Sequence, residues 1–424
     1  MLLTIKNIGK IMNASFKIDG ITIIAGDNNT GKSTVGKILY CLYRGFYDIE
    51  NRVTKSRANA ICGQASVKAV RLRTRRITEL ITDELAKMKA EGNDFSSITA
   101  SIMDIIVPHL RKDSDNSTLL QELEHSIREA ITLSDDDVKR RLLHGIMYSE
   151  IGDDICHVNF PDLESTVILN VKNEDFTILL RNNSIESITQ PFDLFSQAIL
   201  IDTPFVLDEL SGRWSRSYSP IDHRGELASM LSANEHPTVD GDAAEDFVSR
   251  ALAERKLKRV YDRISTVSKG KFLESTSGEI RYKEDGLREG VLVSSLSAGL
   301  KSFLIIKKLI ENGALREKGV LIFDEPEIHL HPEWQLAFAE VIVLLQKEFD
   351  LSIVVTTHSA YFLFAIEVFS AKHEIKHKCN YYLAETVEDG MVADFVDVTD
   401  NLEPIYAKYF KPFQKLENMR WGNA

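Results

Sequence analysis

One short segment near the start of the chain constrains the fold more than any other, namely ITIIAGDNNTGKSTVGKILY, residues 21–40. Four β-branched residues lead into the segment from Gly26 to Ser33, which fits the pattern G-x-x-x-x-G-K-[ST] at every fixed position. Apolar residues at helical spacing follow, so the segment predicts a strand, a loop and a helix. A chance match in a glycine-containing turn is the alternative, and the flanking strand and helix argue against it.

The residue types of this phosphate loop, residues 26–33, suit a polyphosphate. Gly26 and Gly31 lack a Cβ, so backbone N–H groups can approach phosphate oxygens closely. Lys32 can reach the β and γ phosphates, and the Ser33 hydroxyl can bind Mg²⁺. The helix that follows points its positive dipole end at the nucleotide, and the sequence therefore predicts a triphosphate site.

Composition excludes several other classes of protein. The chain has 424 residues, which predicts one large domain with insertions or two domains, and its net charge of −12 argues against a protein that coats nucleic acid. No segment resembles a signal peptide or reaches membrane-spanning length, so we expect no membrane contact. The cysteines are far apart and lack zinc-site spacing, which favours a reduced, cytoplasmic protein. They are Cys41, Cys62, Cys156 and Cys379.

Periodicity divides the chain into β-rich and helical parts. Residues 2–25 indicate strands of a sheet edge that delivers the phosphate loop, and residues 165–180 indicate a hairpin. A buried strand follows near residue 198, and a second hairpin is expected over 270–283, with its turn near Ser277 and Gly278.

Five segments follow from this pattern. They are the first part of a nucleotide-binding lobe (1–51), a helical insertion (52–160), strands of the same lobe (161–209), a helical lid with a flexible linker near 232–242 (210–268), and the second part of the lobe (269–424).

Within the insertion, Ser134 and the acidic residues 135–137 begin one helix as cap and dipole complement. A basic cluster in this insertion is better explained as a solvated helix face than as a phosphate contact. Its members are Lys68, Arg71, Arg73, Arg75 and Arg76.

The remaining chemistry lies in the last third of the chain. Ser297, Ala298 and Gly299 stand at the head of an apolar helix and can form a second anion-binding end, although alone they favour an ordinary capped helix. The apolar run 319–323 ends at Asp324 and Glu325. Asp324 can hold Mg²⁺ and Glu325 can orient and deprotonate a water molecule, and burial makes a purely structural role for these acids costly.

A third apolar strand, residues 351–357, ends at His358, which we expect beside the γ phosphate, where it can sense that group through a hydrogen bond. His329 and His331 lie two residues apart and suggest a metal site, but no further ligand is suitably spaced. A loop-to-helix turn at a subunit interface is the favoured interpretation of that segment.

The phosphate loop, LSAG, DEP and THS motifs, in this order, resemble those of ABC-type ATPases of the SMC, RecF and OLD group. The runs DEPEIHLHPEWQ and TTHSAYFL are similar to the OLD-like ATPases of bacterial anti-phage operons. The similarity covers residues 1–40 and 290–370 well. It implies an α/β fold, with an ABC-type head that has a mixed central sheet, an antiparallel β subdomain and a long helical insertion.

The resemblance also implies a head-to-tail dimer that encloses ATP and Mg²⁺ between two chains. Glu325 would be the general base, His358 the switch and Lys32 a phosphate ligand, while Ser33 and Asp324 would bind Mg²⁺. The nucleotide-binding set would be Gly26, Asn28, Asn29, Thr30, Gly31, Lys32, Ser33, Thr34, Ser297, Ala298 and Gly299. The family's glutamine between Mg²⁺ and water has no clear counterpart. Asp202 lies where that glutamine is expected and is a candidate metal ligand, while Gln197 and Gln64 are weaker candidates for the position.

OLD nucleases carry a Toprim nuclease domain after the ATPase, but only about fifty residues follow the third motif here, too few for such a domain. Asp394, Asp397 and Asp400 are interpreted as solvated. The chain resembles the ATPase subunits of systems such as Septu or PARIS, which implies a separate nuclease or toxin subunit and a trigger such as DNA or a phage protein. The alternatives are a RecF- or SMC-like ATPase that binds DNA, and a scaffold that uses ATP only structurally, which Glu325 disfavours.

Overall fold

The computed structural model describes residues 1–68, 75–91, 94–109, 116–194, 196–210, 222–232, 258–274, 280–284, 286, 288–387 and 390–421. The chain forms two compact units. The sheet unit comprises Met1–Arg44, Ile146–Pro191 and Ser196–Ala424, and the helical unit comprises Gly45–Gly145 and Phe192–Phe195. The division into five functional segments stays a prediction.

The strands are β1 (Leu2–Ile8), β2 (Ile11–Lys17), β3 (Ile21–Gly26), β4 (Ser165–Val171), β5 (Glu174–Arg181), β6 (Ser184–Thr189), β7 (Ala198–Ile201), β8 (Lys271–Glu274), β9 (Ile280–Lys283), β10 (Val291–Leu292), β11 (Val320–Asp324), β12 (Ser352–Thr357), β13 (Cys379–Val387) and β14 (Val392–Asp397). The helices are α1 (Lys32–Phe46), α2 (Ile49–Lys68), α3 (Arg75–Glu91), α4 (Phe95–Ile106), α5 (Asn116–Thr132), α6 (Asp135–Ile151), α7 (Val206–Glu209), α8 (His223–Ser232), α9 (258–265), α10 (Ala298–Glu311), α11 (Pro332–Phe349), α12 (Ala360–Lys372) and α13 (Glu403–Arg420). None of the described helices is long and apolar enough to cross a membrane.

The sheet unit is built on an 11-stranded sheet in the order β6-β5-β4-β1-β2-β14-β13-β3-β12-β11-β7. Strands β13, β3, β12, β11 and β7 run parallel to one another, and every residue of β3 is buried, which explains their continuous apolar sequences. A separate small antiparallel sheet has the order β10-β9-β8. The predicted α/β fold with a mixed central sheet is therefore confirmed.

Two details of the sheet differ from the sequence-based expectation. β3 lies between β13 and β12 rather than at a sheet edge, because its partners come from the far end of the chain. The predicted hairpin of β4 and β5 forms, but it continues into β6 and joins β1 in the main sheet. The turn of the second hairpin near Ser277, and the linker from residue 233 onward, lie outside the described residues.

The core of the sheet unit packs α10, α11 and α12 against the parallel strands. Phe338 of α11 contacts Phe303 of α10 and Phe323 of β11 edge-on, with ring centroids 5.2 and 5.5 Å apart. All three rings are at most 2% exposed. Such aromatic contacts fix the spacing between the helices and the strand that carries the acidic motif.

The helical unit buries a core of aliphatic side chains from four helices, α2 to α5, represented by Ile61, Ile81, Ile102 and Ile127. Ser134 accepts a hydrogen bond from the backbone N–H of Asp137 at 3.1 Å, so it caps α6 as predicted. Residues 69–74 of the basic cluster lie outside the described residues.

Gly20 fixes the entry of the chain into β3. Its φ is +66°, and a Cβ on it would lie 2.1 Å from the carbonyl oxygen of Lys378, which immediately precedes β13. Gly313 has a similar φ of +64°, but a Cβ there would have no neighbour within 4 Å. A substitution by alanine at Gly313 would therefore introduce backbone strain alone, whereas the same substitution at Gly20 would add a steric clash.

We expect Gly313→Ala to lower the free energy of unfolding by about 1 to 2 kcal/mol, the cost of a left-handed alanine. Gly20→Ala should cost at least about 2 kcal/mol more, because its Cβ also meets backbone. Denaturant unfolding of both variants tests this. Equal losses would contradict the close approach of Gly20 to Lys378.

Candidate functional site

The phosphate loop joins the buried strand β3 to α1 at the carboxyl edge of the sheet. Gly26 has a φ of +149° and Gly31 a φ of +85°. A Cβ on Gly26 would lie 2.1 Å from the carbonyl oxygen of Ala384, so a neighbouring strand also requires glycine there. Asn28 and Asn29 are exposed, Thr30 is buried and Thr34 is half-buried. The loop thus has the open geometry that suits an anion at a helix N-terminus.

Lys32 is folded back into the loop. Its side chain is 4% exposed, and its Nζ donates to the carbonyl oxygens of Gly26 at 3.1 Å and Asp27 at 2.5 Å. Burial lowers the pKa of Lys32, against the opposing effect of carboxylates that include Glu325 and Asp324. The ammonium group therefore lies close enough to the acidic end of β11 to interact with its carboxylates, although Lys32 and Asp324 are far apart in the sequence.

Asp324 and Ser33 come together at this edge. Thr356 donates its hydroxyl to Asp324 Oδ1 at 2.5 Å, and the Ser33 hydroxyl lies close enough to act on the same carboxylate. Burial raises the pKa of Asp324, and the hydroxyls of Thr356 and Ser33 oppose that rise. A carboxylate and a hydroxyl side by side fit Mg²⁺, which prefers oxygen ligands and takes most of the others from phosphate and water.

No group of three or more His, Cys, Asp or Glu side chains suited to a metal is found among the described residues. A magnesium ion held by one carboxylate, one hydroxyl and a nucleotide does not need such a group.

Glu325 and His358, the predicted base and switch, form an ion pair with 3.0 Å between Oε1 and Nδ1. Glu325 has a φ of +49°, and its N–H donates to the Thr356 carbonyl at 3.1 Å. The Glu325 carboxylate raises the pKa of His358, and His358 in turn lowers the pKa of Glu325. The strained backbone turns this carboxylate away from the strand and towards the end of β12.

Glu327 belongs to the same cluster, and the sequence interpretation missed it. It is 4% exposed, and its Oε1 accepts from the Thr357 hydroxyl at 2.5 Å and from the His358 N–H at 3.2 Å. Burial raises its pKa. The carboxylate ties the segment after β11 to the end of β12 and so fixes the backbone that carries His358. The only indication of this role in the sequence is that Glu327 is a third acidic residue, two positions after Glu325.

Ser297, Ala298 and Gly299 form the N-terminus of α10. The Ser297 hydroxyl accepts from the Leu300 N–H at 3.4 Å, which is an N-cap, and Ser297 is exposed. A Cβ on Gly299 would lie 2.9 Å from the His329 carbonyl and 3.0 Å from the Trp334 ring. These contacts all lie within one chain. A role for the three residues in nucleotide binding stays a prediction.

His331 is the residue before α11, and Pro332 begins that helix. This confirms the loop-to-helix turn expected around the two histidines, while its place at a subunit interface stays a prediction.

Asp202 follows β7 and is paired with two cations. Arg224 binds both carboxylate oxygens, with the shortest distance 2.5 Å, and His223 Nε2 lies 3.2 Å from Oδ1. His223 Nδ1 also lies 2.6 Å from Glu150. Burial would lower the pKa of His223, but Asp202 and Glu150 outweigh it and raise the value to about 9. A magnesium role for Asp202 stays a prediction, and it would compete with these partners.

The two glutamine candidates lie elsewhere. Gln197 precedes β7, so it lies at the opposite edge of the sheet from Asp324, where it lines a small cavity with Gly319 and Leu351. Gln64 lies on α2 in the helical unit. Asp394, Asp397 and Asp400 are exposed, as expected for solvated residues.

Residues 160–364 match the family model described as "AAA domain, putative AbiEii toxin, Type IV TA system". The match covers just under half of the chain and includes Asp324, Glu325 and His358, but it begins after the phosphate loop.

The chain is also similar to solved SMC head structures. The SMC head domain from Thermotoga maritima is 12% identical, with 94% of this chain and 98% of that chain covered and a TM-score of 0.38. An SmcHead bound to the C-winged helix domain of ScpA is 10% identical, with coverages of 93% and 97% and a TM-score of 0.41. The Smc head domain with an extended coiled coil from Pyrococcus furiosus, bound to the C-terminal domain of ScpA, is 12% identical, with coverages of 99% and 98% and a TM-score of 0.38.

The ion pair of Glu325 and His358 has a measurable consequence. The pKa of His358 is raised and that of Glu325 is lowered in the folded chain. The pair therefore loses its contribution to stability as the pH rises through the raised pKa of His358, and also as the pH falls through the lowered pKa of Glu325. We expect the pKa of His358, measured by NMR titration, to fall in Glu325→Gln. Glu333→Gln, which removes an exposed carboxylate of α11, should leave it unchanged. An unaltered His358 pKa in Glu325→Gln would contradict the pairing.

Proposed function

We propose that this chain binds ATP with Mg²⁺ and hydrolyses it to ADP and phosphate. The observation that carries the proposal is the meeting of Lys32, Ser33, Asp324 and Glu325 at the carboxyl edge of β3 and β11. These residues come from two distant parts of the sequence. The family match over residues 160–364 to an AAA domain supports the same class of activity.

Each residue has a defined task in this proposal. Lys32 and the loop N–H groups bind the phosphates, and Ser33 and Asp324 hold Mg²⁺, which neutralises charge on the phosphate oxygens when bound. Glu325 accepts a proton from the attacking water. His358 orients the Glu325 carboxylate through their contact, and it can exchange this contact for one with the γ phosphate when ATP binds. Glu327 fixes the backbone of His358.

We further propose that two chains associate head to tail, so that Ser297 and Gly299 of one chain face the γ phosphate held by the other. The exposed N-cap of α10 supports this, because a helix N-terminus attracts anions. Binding of ATP would then drive association, and hydrolysis would reverse it. Assembly beyond a dimer is compatible with the same contact.

We place this activity in anti-phage defence, as a subunit that regulates a separate nuclease or toxin subunit in response to DNA or a phage protein. The family description, which names a putative toxin of a type IV toxin–antitoxin system, supports a defence role. The alternative is a RecF- or SMC-like ATPase that acts on DNA.

Two substitutions test the site. Glu325→Gln should retain ATP binding and lower hydrolysis at least about 100-fold, because a general base contributes that much or more. It should accumulate an ATP-bound dimer, whereas Lys32→Ala should abolish binding. Phosphate release and size-exclusion chromatography with ATP and Mg²⁺ measure both effects.

Glu333→Gln is the matched control and should behave like the parent. Parent-like hydrolysis in both Glu325→Gln and Lys32→Ala would contradict the proposed site. The same assay with duplex DNA distinguishes the defence role from the RecF- or SMC-like alternative. That alternative requires hydrolysis that DNA stimulates, and the stimulation should weaken steeply as the salt concentration rises.

Mixing two inactive variants tests the composite site. Ser297→Asp keeps an N-cap residue but places a negative charge against the partner's phosphate, so it should be inactive alone, as should Lys32→Ala. Half of the dimers in an equal mixture carry both substitutions in different chains, and each retains one intact site, so activity should recover to about a quarter of the parent's.

Ser297→Asn controls for the cap without adding charge, and it should retain most of the activity. A Ser297→Asp protein that is active by itself, or a mixture that stays as inactive as its two components, would contradict the head-to-tail arrangement.

A further inference from the structure

The first half of α13 is fixed to the sheet unit by contacts far apart in sequence. Ile405 is fully buried in the main core. The Tyr406 hydroxyl donates to Glu367 of α12 at 2.8 Å. This half of α13 therefore has a defined position against α12, and Lys408 and Tyr409 of the same helix extend from it to the phosphate loop.

Tyr409 joins the two chain segments that frame the candidate site. Its hydroxyl accepts a hydrogen bond from the N–H of Gly26 at 2.8 Å and donates one to the carbonyl oxygen of Thr357 at 3.0 Å. Gly26 is the first residue of the phosphate loop, and Thr357 immediately precedes His358. One hydroxyl group thus satisfies a backbone donor of the loop and a backbone acceptor of the strand end.

Lys408 adds a second contact to the loop. Its Nζ lies 2.8 Å from Asp27 Oδ2 and 3.0 Å from Glu385 Oε1, and the side chain is 16% exposed. Burial would lower the pKa of Lys408, but hydrogen bonds to Asp27 and Glu385 outweigh it and raise the pKa. The lysine therefore stays charged and holds the second residue of the loop against β13.

We propose that Tyr409 is a positioning residue that sets nucleotide affinity by holding the start of the phosphate loop against the end of β12, with Lys408 as its support. The inference rests on the proposed function and goes beyond it, because α13 carries none of the predicted motifs. Without the hydroxyl, the N–H of Gly26 and the carbonyl of Thr357 both lose their partner, and the loop samples conformations that do not cradle a phosphate. Any displacement of α13 would have the same effect on nucleotide binding.

Tyr409→Phe tests this, because it removes the hydroxyl and keeps the ring. Tyr406→Phe is the matched control, since it removes a hydroxyl from the same helix that faces Glu367 instead of the loop. In the full chain without nucleotide, we expect hydrogen exchange of residues 26–34 to become about tenfold faster in Tyr409→Phe. The Kd for ATP with Mg²⁺ should rise about tenfold. Tyr406→Phe should change neither quantity.

Lys408→Gln gives a second test, because it removes the charge that pairs with Asp27 of the loop, and a smaller effect of the same sign is expected. Parent-like exchange and ATP affinity in Tyr409→Phe, or equal changes in Tyr406→Phe, would overturn the inference. A parent that binds ATP no better than Lys32→Ala would instead refute the proposed function. The exchange measurement, which uses no nucleotide, still decides whether Tyr409 holds the loop.

Discussion

The parallel pairing of β3, β12 and β11 is the constraint on which the candidate site depends. Ala25 pairs with Thr357, and Thr356 pairs with Asp324, so the three strands end at the same level. The phosphate loop, the acidic pair and His358 follow these ends directly and therefore share one edge of the sheet. A slip of one residue would turn Asp324 to the opposite face and separate it from Ser33.

The two threonines at the end of β12 show how the strand keeps several buried acids in place. Adjacent residues of a strand point to opposite faces, and Thr356 accordingly donates to Asp324 while Thr357 donates to Glu327. Each hydroxyl offsets part of the cost of burying a carboxylate. The motif that carries His358 thus also organises the carboxylates around it, because all of these groups depend on one strand end.

Much of the site could be predicted because its motifs are local patterns: a glycine-rich loop after a strand, and polar residues at the ends of apolar runs. The contacts that escaped prediction are long-range. Gly26 and Tyr409 are 383 residues apart in sequence, and Asp202 meets Arg224 from a different element. The central position of β3 in the sheet escaped prediction for the same reason, because a strand's own sequence does not determine which strands pair with it. Glu327 was missed although it is local, because a partly buried turn and a solvated one have similar sequences.

The charge around Lys32 gives a physical reason for a second chain under the proposed function. The acids whose charge acts on this lysine are Asp324, Glu325, Asp27 and Glu327. A triphosphate brings further negative charge to the same place, and Lys32, Mg²⁺ and the dipole of α1 must offset both. Within one chain, the exposed Ser297 hydroxyl accepts from the Leu300 N–H and so caps α10. Supplied by a partner, that helix end would add positive potential where the γ phosphate lies, so ATP binding becomes most favourable when two chains meet. Under the proposed function, association would then follow from the electrostatics of the site itself, and hydrolysis would weaken it by removing the group that both chains contact.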